Sequence, residues 1–161
     1  MTPIFQQIKP VILTILIAIG FSFHCTESRA APLETAIVAG GCFWCVESDF
    51  EKVDGVVEVV SGFSGGSADT ATYKQISRGG TGHLEAVKIT YDPDVLSYST
   101  LINMFLRSVD VTDAGGQFCD RGEPYTTAIF ATPAQPSIAA AELATAERDL
   151  GQKIVTPVRP A

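Results

Sequence analysis

The abrupt change of hydrophobic pattern at Gly40-Gly41 constrains the fold more than any other feature of the sequence. A strand is predicted at residues 34–39, because residues 36–39 form a short apolar run that is rich in β-favouring residues. From Phe43 to Lys52, apolar residues recur at intervals of three and four, which predicts a helix with one buried face. A strand that passes directly into a helix places Cys42 in the first helical turn, a position where chemistry often resides.

The remainder of the chain continues this alternation of strand and helix patterns. Gly55 is expected to end the first helix and Gly151 the last. The strand at residues 84–91 alternates strongly enough to be half-buried. Further strands are predicted at 56–63 and 125–132. Further helices are predicted at about 72–77, from a cap at Ser97 to about 108, and at 136–150. A chain of 161 residues accommodates one domain, so we expect a single two-layer α/β (α+β) domain with helices on one or both faces of the sheet.

The N-terminal segment has the pattern of a targeting signal. Lys9 precedes an apolar run from Val11 to Phe23, and a polar stretch follows as far as Ala30. The apolar run is shorter than the roughly 20 residues that a membrane-spanning helix needs. We therefore predict that residues 1–30 are a signal peptide, cleaved before Ala31.

Cleavage would leave a mature domain, residues 31–161, that is exported to the periplasm or secreted without stable membrane insertion. An uncleaved anchor and a lipoprotein at Cys25 are the alternatives. The mature chain keeps Cys42, Cys45 and Cys119 in a compartment where disulfides persist. Three thiols cannot all pair within the chain, so one of them is free to be reactive.

The charge of the chain restricts its partners. Its formal net charge is −7, and Lys and Arg together number only 11. A nucleic-acid partner would require a basic face, so none is expected. A separate expectation is that the mature domain is a monomer.

Cys42 is the candidate nucleophile. At a helix N-terminus, unpaired backbone N–H groups and the helix dipole favour an anion, and therefore the thiolate form of a cysteine. The glycine at Gly41 lets the backbone turn sharply, so that the thiol can face a cleft. The alternative interpretation is a buried structural cysteine.

Several segments then occur in a fixed order: Gly41-Cys42-Phe43-Trp44, Gly62-Phe63-Ser64-Gly65-Gly66, Thr81-Gly82-His83-Leu84-Glu85-Ala86-Val87, Tyr91-Asp92-Pro93, Gln117-Phe118-Cys119-Asp120-Arg121-Gly122 and Tyr125-Thr126-Thr127-Ala128-Ile129-Phe130. In order and spacing they resemble the peptide methionine sulfoxide reductases of the A type, from about Ala36 onward. The resemblance implies a ferredoxin-like α/β plait without a bound cofactor or metal. It also implies reduction of methionine S-sulfoxide, in proteins and as the free amino acid, which repairs oxidative damage.

The resemblance also implies roles for individual residues. Cys42 would attack the sulfoxide sulfur and become a sulfenic acid, a reversible oxidation state of cysteine. Phe43 and Trp44 would contact the S-methyl group. Glu85, Tyr73 and Tyr125 would bind the oxygen and supply its proton, and Asp120 would support the site.

Glu85 is the candidate general acid. Apolar neighbours such as Leu84, Ala86 and Val87 are expected to keep its carboxyl protonated, so that it can donate a proton to the departing oxygen. The alternative is an exposed strand residue. His83 is expected behind the site, in its second layer with Gly41, because a single histidine without partners is more often structural.

A second thiol must regenerate Cys42. Cys45 is one helical turn away, and that separation can fall within the Cα distances of bridged cysteines; Cys119, beside Asp120, is the competing candidate. Many relatives carry glycine at the position of Cys45 and have recycling cysteines near the C-terminus. Proteins of the family usually continue with a further segment that packs near the active site, so the resemblance implies that this chain is truncated at its C-terminus. It also implies thioredoxin or another dithiol as reductant.

Three other functions compete with this interpretation. Cys42-Phe43-Trp44-Cys45 is a C-x-x-C motif, which also suits a thioredoxin-like disulfide oxidoreductase. A metal-binding module could use Cys42, Cys45, Cys119 and His83, but zinc sites prefer two close pairs of ligands. An inactive domain that only binds oxidised partners is the third alternative.

Overall fold

The computed structural model describes residues 31–161, so the predicted signal peptide at 1–30 lies outside the described residues. Seven strands occur, β1 Glu34–Gly40, β2 Val56–Ser64, β3 Leu84–Tyr91, β4 Gly116–Gln117, β5 Asp120–Arg121, β6 Thr127–Ala131 and β7 Val158–Pro160. The helices are α1 Phe43–Phe50, α2 Tyr73–Ile76, α3 Tyr98–Ser108 and α4 Pro136–Leu150, with 3₁₀ turns at Ala68–Thr70 and Glu123–Tyr125.

Five of the strands form one sheet in the order β2-β3-β1-β6-β7. Neighbouring strands are antiparallel, except that β7 runs parallel to β6. The short strands β4 and β5 form a separate hairpin. The predicted single α/β domain is confirmed, as a mixed sheet with four helices.

The main core lies between the sheet and the helices. In β1, Ala36 and Val38 face this core and Ala39 faces the opposite side, as the period of two in a strand requires. α1 contributes Phe43, Val46 and Phe50, and α3 contributes Leu101, Ile102 and Phe105. A smaller cluster covers the other face, formed by Ala39, Leu84, Ala86, Ala128 and Phe130. Helix α1 is therefore packed against the sheet along its whole length, which fixes the position of its N-terminus.

Several predicted boundaries are confirmed and others are wrong. Helix α4 has the predicted bounds and ends at Gly151, which is left-handed. Ser97 caps α3 by accepting a hydrogen bond from the Thr100 N–H. Helix α1 ends at Phe50 and not, as predicted, at Gly55. Gly55 instead directly precedes β2 with φ +91°, and a Cβ at this position would lie 2.8 Å from Leu96 Cβ.

Two strands differ from the prediction because of their surroundings. β3 is buried on both faces only in its first half, where Leu84 and Ala86 join the smaller cluster; beyond that, Lys88 is exposed and the strand is half-buried as predicted. Tyr125 belongs to a 3₁₀ turn before β6, a turn whose second residue is Pro124. The sequence did not predict β7, since Pro157 before it and Pro160 at its last position disfavour a strand except at a sheet edge, where β7 lies.

Between residues 31 and 161, no helix combines the length and the apolar character needed to cross a membrane.

Candidate active site

Cys42 caps the N-terminus of α1. Its carbonyl oxygen accepts hydrogen bonds from the backbone N–H groups of Cys45 (3.0 Å) and Val46 (3.2 Å), so the side chain projects from the start of the helix. Gly41 has φ +86°, a conformation that favours glycine. The sharp turn predicted from Gly40-Gly41 is thus present, and the Cys42 side chain is half-buried.

Gln117 supports Gly41 from behind, and the sequence did not single it out. A Cβ on Gly41 would lie 2.6 Å from Gln117 Cβ, so the two backbones are in close contact. The Gln117 amide is fully bonded: its Oε1 accepts from the Asp110 N–H (2.8 Å), and its Nε2 donates to the carbonyls of Asp110 and Gly116 (both 2.9 Å). A buried side chain held by three hydrogen bonds gives the turn before Cys42 a rigid backing.

Glu85 lies beneath the first turn of α1. Its side chain is on the helix-covered face of β3, opposite Phe63 of β2, and is only 4% exposed. Its Oε2 accepts a hydrogen bond from the Phe43 N–H at 3.1 Å. Glu85 is therefore a buried carboxyl that is bonded to the backbone of the residue after Cys42, and not an exposed strand residue.

The protonation of Glu85 follows from this burial. Desolvation raises the pKa of the carboxyl above its ordinary value, the Phe43 N–H opposes the rise, and the negative charge of Asp120 adds to it. The expected direction is thus present, but the expected cause is partly wrong. Leu84 and Ala86 point to the opposite face of the sheet, so the shielding comes from the helix-covered side of β3, where Phe43 and Phe63 lie.

A row of rings borders the cysteine. Phe43 is buried, whereas Trp44 is 65% exposed, and their ring centroids are 5.3 Å apart. Phe43 also packs against Phe63 at 5.7 Å, and Phe63 against the His83 ring at 6.4 Å. An apolar surface therefore extends from solvent at Trp44 to the interior beside Glu85.

Tyr125 connects the polar side of the site. Burial raises the pKa of Tyr125, and the charges of Glu85, Tyr73, Asp120 and Cys42 raise it further, so all of these groups lie within electrostatic reach of its hydroxyl. Tyr125 is half-buried, and Tyr73, at the start of α2, is 55% exposed. The structure thus brings the predicted oxygen-binding residues and Asp120 together around Cys42.

The two candidate partner cysteines differ in position. Cys45 is exposed one turn along α1; its hydrogen bond to the Cys42 side chain raises the pKa of the Cys45 thiol most, and burial and the charges of Cys42, Asp120 and Asp49 add to the effect. The Cys45 and Cys42 side chains are therefore close neighbours. Cys119 is exposed in the turn between β4 and β5.

His83 is occupied by the backbone. Its ring is buried, with Nε2 2.8 Å from the Ser67 carbonyl oxygen and Nδ1 3.3 Å from the Gly66 N–H. These partners assign the hydrogen to Nε2 and leave Nδ1 as acceptor, so neither nitrogen is directed to the cysteine. Among residues 31–161, no three His, Cys, Asp or Glu side chains converge as a metal site.

Comparison with known proteins decides the family. The family model described as peptide methionine sulfoxide reductase matches residues 34–161. The chain belongs to this family. The prediction made from the sequence motifs is therefore confirmed, as is the prediction of an oxidoreductase.

The relatives within the family are of the A type. Peptide methionine sulfoxide reductase MsrA 2 of Rhizobium meliloti is 49% identical over 146 residues, which cover 88% of this chain and 73% of that protein. MsrA 2 of Caulobacter vibrioides is 53% identical over 111 residues, which cover 68% of this chain and 57% of the relative. The chain thus spans little more than half the length of the Caulobacter protein.

Solved structures of methionine sulfoxide reductases show a similar fold. Mxr1 from Saccharomyces cerevisiae in its reduced form superposes with a TM-score of 0.76 at 26% identity, over 84% of this chain and 81% of Mxr1. Methionine sulfoxide reductase A of Corynebacterium diphtheriae superposes with a TM-score of 0.69 at 29% identity, over 80% of this chain and 64% of that protein. Mxr1 has also been crystallised in complex with Trx2.

Proposed function

We propose that this chain reduces methionine S-sulfoxide to methionine, in proteins and as the free amino acid. The observation that carries the proposal is the hydrogen bond between Glu85 and the Phe43 N–H, which holds a buried carboxyl with a raised pKa beside Cys42. A sulfoxide requires both groups, a nucleophile at its sulfur and a proton at its oxygen. The names of the family and of its relatives support the same reaction.

In the first step, the Cys42 thiolate attacks the sulfoxide sulfur. The dipole of α1 favours a negative charge at its N-terminus, where Cys42 lies, and the rings of Phe43 and Trp44 receive the S-methyl group. The sulfoxide oxygen accepts a proton from Glu85 and hydrogen bonds from Tyr73 and Tyr125. Transfer of the resulting hydroxyl to the Cys42 sulfur breaks the S–O bond of the substrate and the S–S bond formed by the attack, and so releases methionine.

This step balances one oxidation against one reduction. The substrate sulfur gains two electrons, and Cys42 loses two and becomes a sulfenic acid. Glu85 recovers its proton from solvent. Asp120 supports the site because its charge raises the pKa of Glu85 and so keeps the acid protonated at higher pH.

In the second step, Cys45 resolves the sulfenic acid. Its sulfur attacks Cys42, the hydroxyl leaves as water with the Cys45 proton, and a Cys42–Cys45 disulfide remains. The hydrogen bond between the two side chains supports this assignment over Cys119. A thioredoxin or another dithiol then reduces the disulfide by exchange, in keeping with the structure of the yeast relative bound to the thioredoxin Trx2.

A thioredoxin-like disulfide oxidoreductase would use the same cysteine pair but would leave Glu85 and the oxygen-binding tyrosines without a role. The distinguishing experiment is turnover of the separated S and R epimers of methionine sulfoxide with dithiothreitol, by wild type and by Cys42→Ser. We expect turnover of the S epimer by wild type alone. Insulin reduction without sulfoxide turnover would contradict the proposal.

We also propose that the core is a ferredoxin-like α/β plait. The support is the sequence of elements β1-α1-β2-β3-α3-β6 with the antiparallel spatial order β2-β3-β1-β6, which amounts to two interlocked β-α-β units. Helices α1 and α3 share one core on one side of the sheet. A crystal structure with these two helices on opposite faces would contradict this assignment.

Export of a mature domain that begins at Ala31 is a further proposal. Its support is the signal-like order of residues 9–30, together with a family match that begins only at residue 34. Expression in a Gram-negative host and N-terminal sequencing of the periplasmic protein should give Ala31 as the first residue. A lipid-modified N-terminus at Cys25, or an intact Met1, would exclude this cleavage.

A further inference from the structure

Phe118 is an exposed aromatic residue in an unfavourable backbone conformation. Its side chain is 73% exposed and its φ is +49°, and within residues 31–161 it alone among non-glycine residues has a positive φ. Bulky residues rarely adopt this conformation, and such strain persists mainly where function requires it. Neither burial nor backbone preference accounts for phenylalanine at this position.

The β4–β5 hairpin places Phe118 next to the catalytic turn. Gln117 pairs with Asp120, so Phe118 and Cys119 are the two residues of the connecting turn. The Cα of Gln117 is 3.8 Å from the position that a Cβ on Gly41 would occupy. Phe118 therefore directly follows the residue whose side chain packs against Gly41, immediately before Cys42.

Phe118 is one of three exposed aromatic residues on segments that border the site. Trp44 is two residues after Cys42 and 65% exposed, and Tyr73, whose charge acts on Tyr125, is 55% exposed. Free methionine sulfoxide is small, and in the proposed reaction Cys42, Glu85 and Phe43 already account for contacts to its sulfur, oxygen and methyl group. Exposed aromatic surface beyond that requirement indicates a larger, partly apolar ligand.

We propose that Phe118 contacts the apolar side chain adjacent to the oxidised methionine in a polypeptide substrate, and so makes the site prefer such sequences to free methionine sulfoxide. The left-handed backbone at Phe118 holds the ring out from the hairpin turn, where its surface is available to a neighbouring side chain. This inference rests on the proposed reduction of methionine sulfoxide and adds a determinant of its substrate preference.

The test compares substrates at a fixed small reductant. Wild type, Phe118→Ala and Phe118→Gly are assayed with dithiothreitol on N-acetyl-Val-Met(O)-Leu-amide, on the corresponding peptide with serine at both flanks, and on free methionine S-sulfoxide. We expect both variants to lower kcat/KM for the Val/Leu peptide about tenfold relative to that for free sulfoxide, the loss that a single apolar contact commonly produces. The serine-flanked peptide should lose much less. Val95→Ala, which removes an apolar side chain that is 63% exposed in the loop before α3, is the control and should leave all three ratios unchanged.

Three results would overturn the inference. One is an unchanged ratio of peptide to free sulfoxide in both Phe118 variants, and a second is an equal loss on all substrates. The third comes from a parallel assay with thioredoxin in place of dithiothreitol: an effect on the KM for thioredoxin alone would assign Phe118 to the surface that binds the reductant. Failure of wild type to reduce any of the three substrates would instead contradict the proposed reaction itself.

Discussion

The backbone N–H of Phe43 donates a hydrogen bond to Glu85 Oε2 over 3.1 Å, which joins the first turn of α1 to a strand inside the sheet. The residues are 42 positions apart in the chain. This bond holds the candidate acid next to the backbone of the candidate nucleophile.

Glu85→Gln should abolish most of the activity without unfolding the protein. The amide oxygen can still accept the Phe43 hydrogen bond, but the side chain no longer carries an acidic proton. We expect kcat/KM for the S-sulfoxide to fall by about 10²- to 10⁴-fold, the usual contribution of a general acid. Glu58→Gln, at an exposed carboxyl of β2, is the control and should retain wild-type kcat/KM. A loss below about threefold in Glu85→Gln would exclude Glu85 as the proton donor.

The raised pKa of Glu85 should make the unfolding free energy depend on pH. The unfolded carboxyl titrates near its ordinary value of 4.5, and the folded carboxyl retains its proton to higher pH. The stabilisation from this group is therefore complete below about pH 4.5 and is lost as pH rises through the folded pKa. Urea unfolding between pH 4 and 8 should show wild type losing stability relative to Glu85→Gln as pH rises. A difference independent of pH would contradict the shift.

Gly41→Ala should damage both stability and activity. The new Cβ would require a strained φ near +86° and would approach Gln117 Cβ to 2.6 Å, so we expect a loss of about 2–4 kcal/mol in unfolding free energy. Gly151→Ala is the matched control, since its φ is +62° but the space around it is open; we expect a loss of about 1 kcal/mol there. Equal losses in the two variants would show that the Gln117 contact is unimportant.

Cys45→Ser should separate the first turnover from recycling. We expect one equivalent of methionine per chain in a single turnover, followed by a steady-state rate with thioredoxin at least about tenfold below wild type, because no intramolecular disulfide is available for exchange. Cys119→Ser should turn over normally. Peptide mapping of the oxidised wild type should find a Cys42–Cys45 disulfide; a Cys42–Cys119 disulfide would reverse the assignment.

Phe118→Gly should stabilise the fold. Glycine adopts φ +49° without the steric cost that phenylalanine bears, and a ring that is 73% exposed contributes little burial. We expect a gain of about 1 kcal/mol in the free energy of unfolding, measured in urea. Phe118→Ala keeps a Cβ in the same conformation and should show no such gain; a loss of stability in Phe118→Gly would mean that the ring makes stabilising contacts.

The sequence predicted features that depend on neighbours along the chain. The turn at Gly40-Gly41, the cap at Ser97 and the left-handed end at Gly151 each follow from local backbone preferences, and each is present. Strand β3 was predicted with its observed bounds for the same reason, since its alternation is visible over eight residues.

Contacts between distant segments could not be derived in this way. Alternation alone does not say which face of β3 meets a helix, so Leu84 and Ala86 were assigned to shielding Glu85 although they lie on the other face. Gln117 shows no periodicity that would reveal its contact with Gly41 across the fold. The pairing of β7 with β6 likewise depends on a sheet edge that exists only after folding.

Trapping the oxidised cysteine tests the central claim most directly. Reduced Cys45→Ser protein is mixed with one equivalent of methionine S-sulfoxide and then with dimedone, which labels sulfenic acids, and the adduct is located by peptide mass spectrometry. We predict one adduct per chain, on Cys42, formed in proportion to the methionine released. Release of methionine with no adduct on Cys42, or with the adduct on Cys119, would contradict the account.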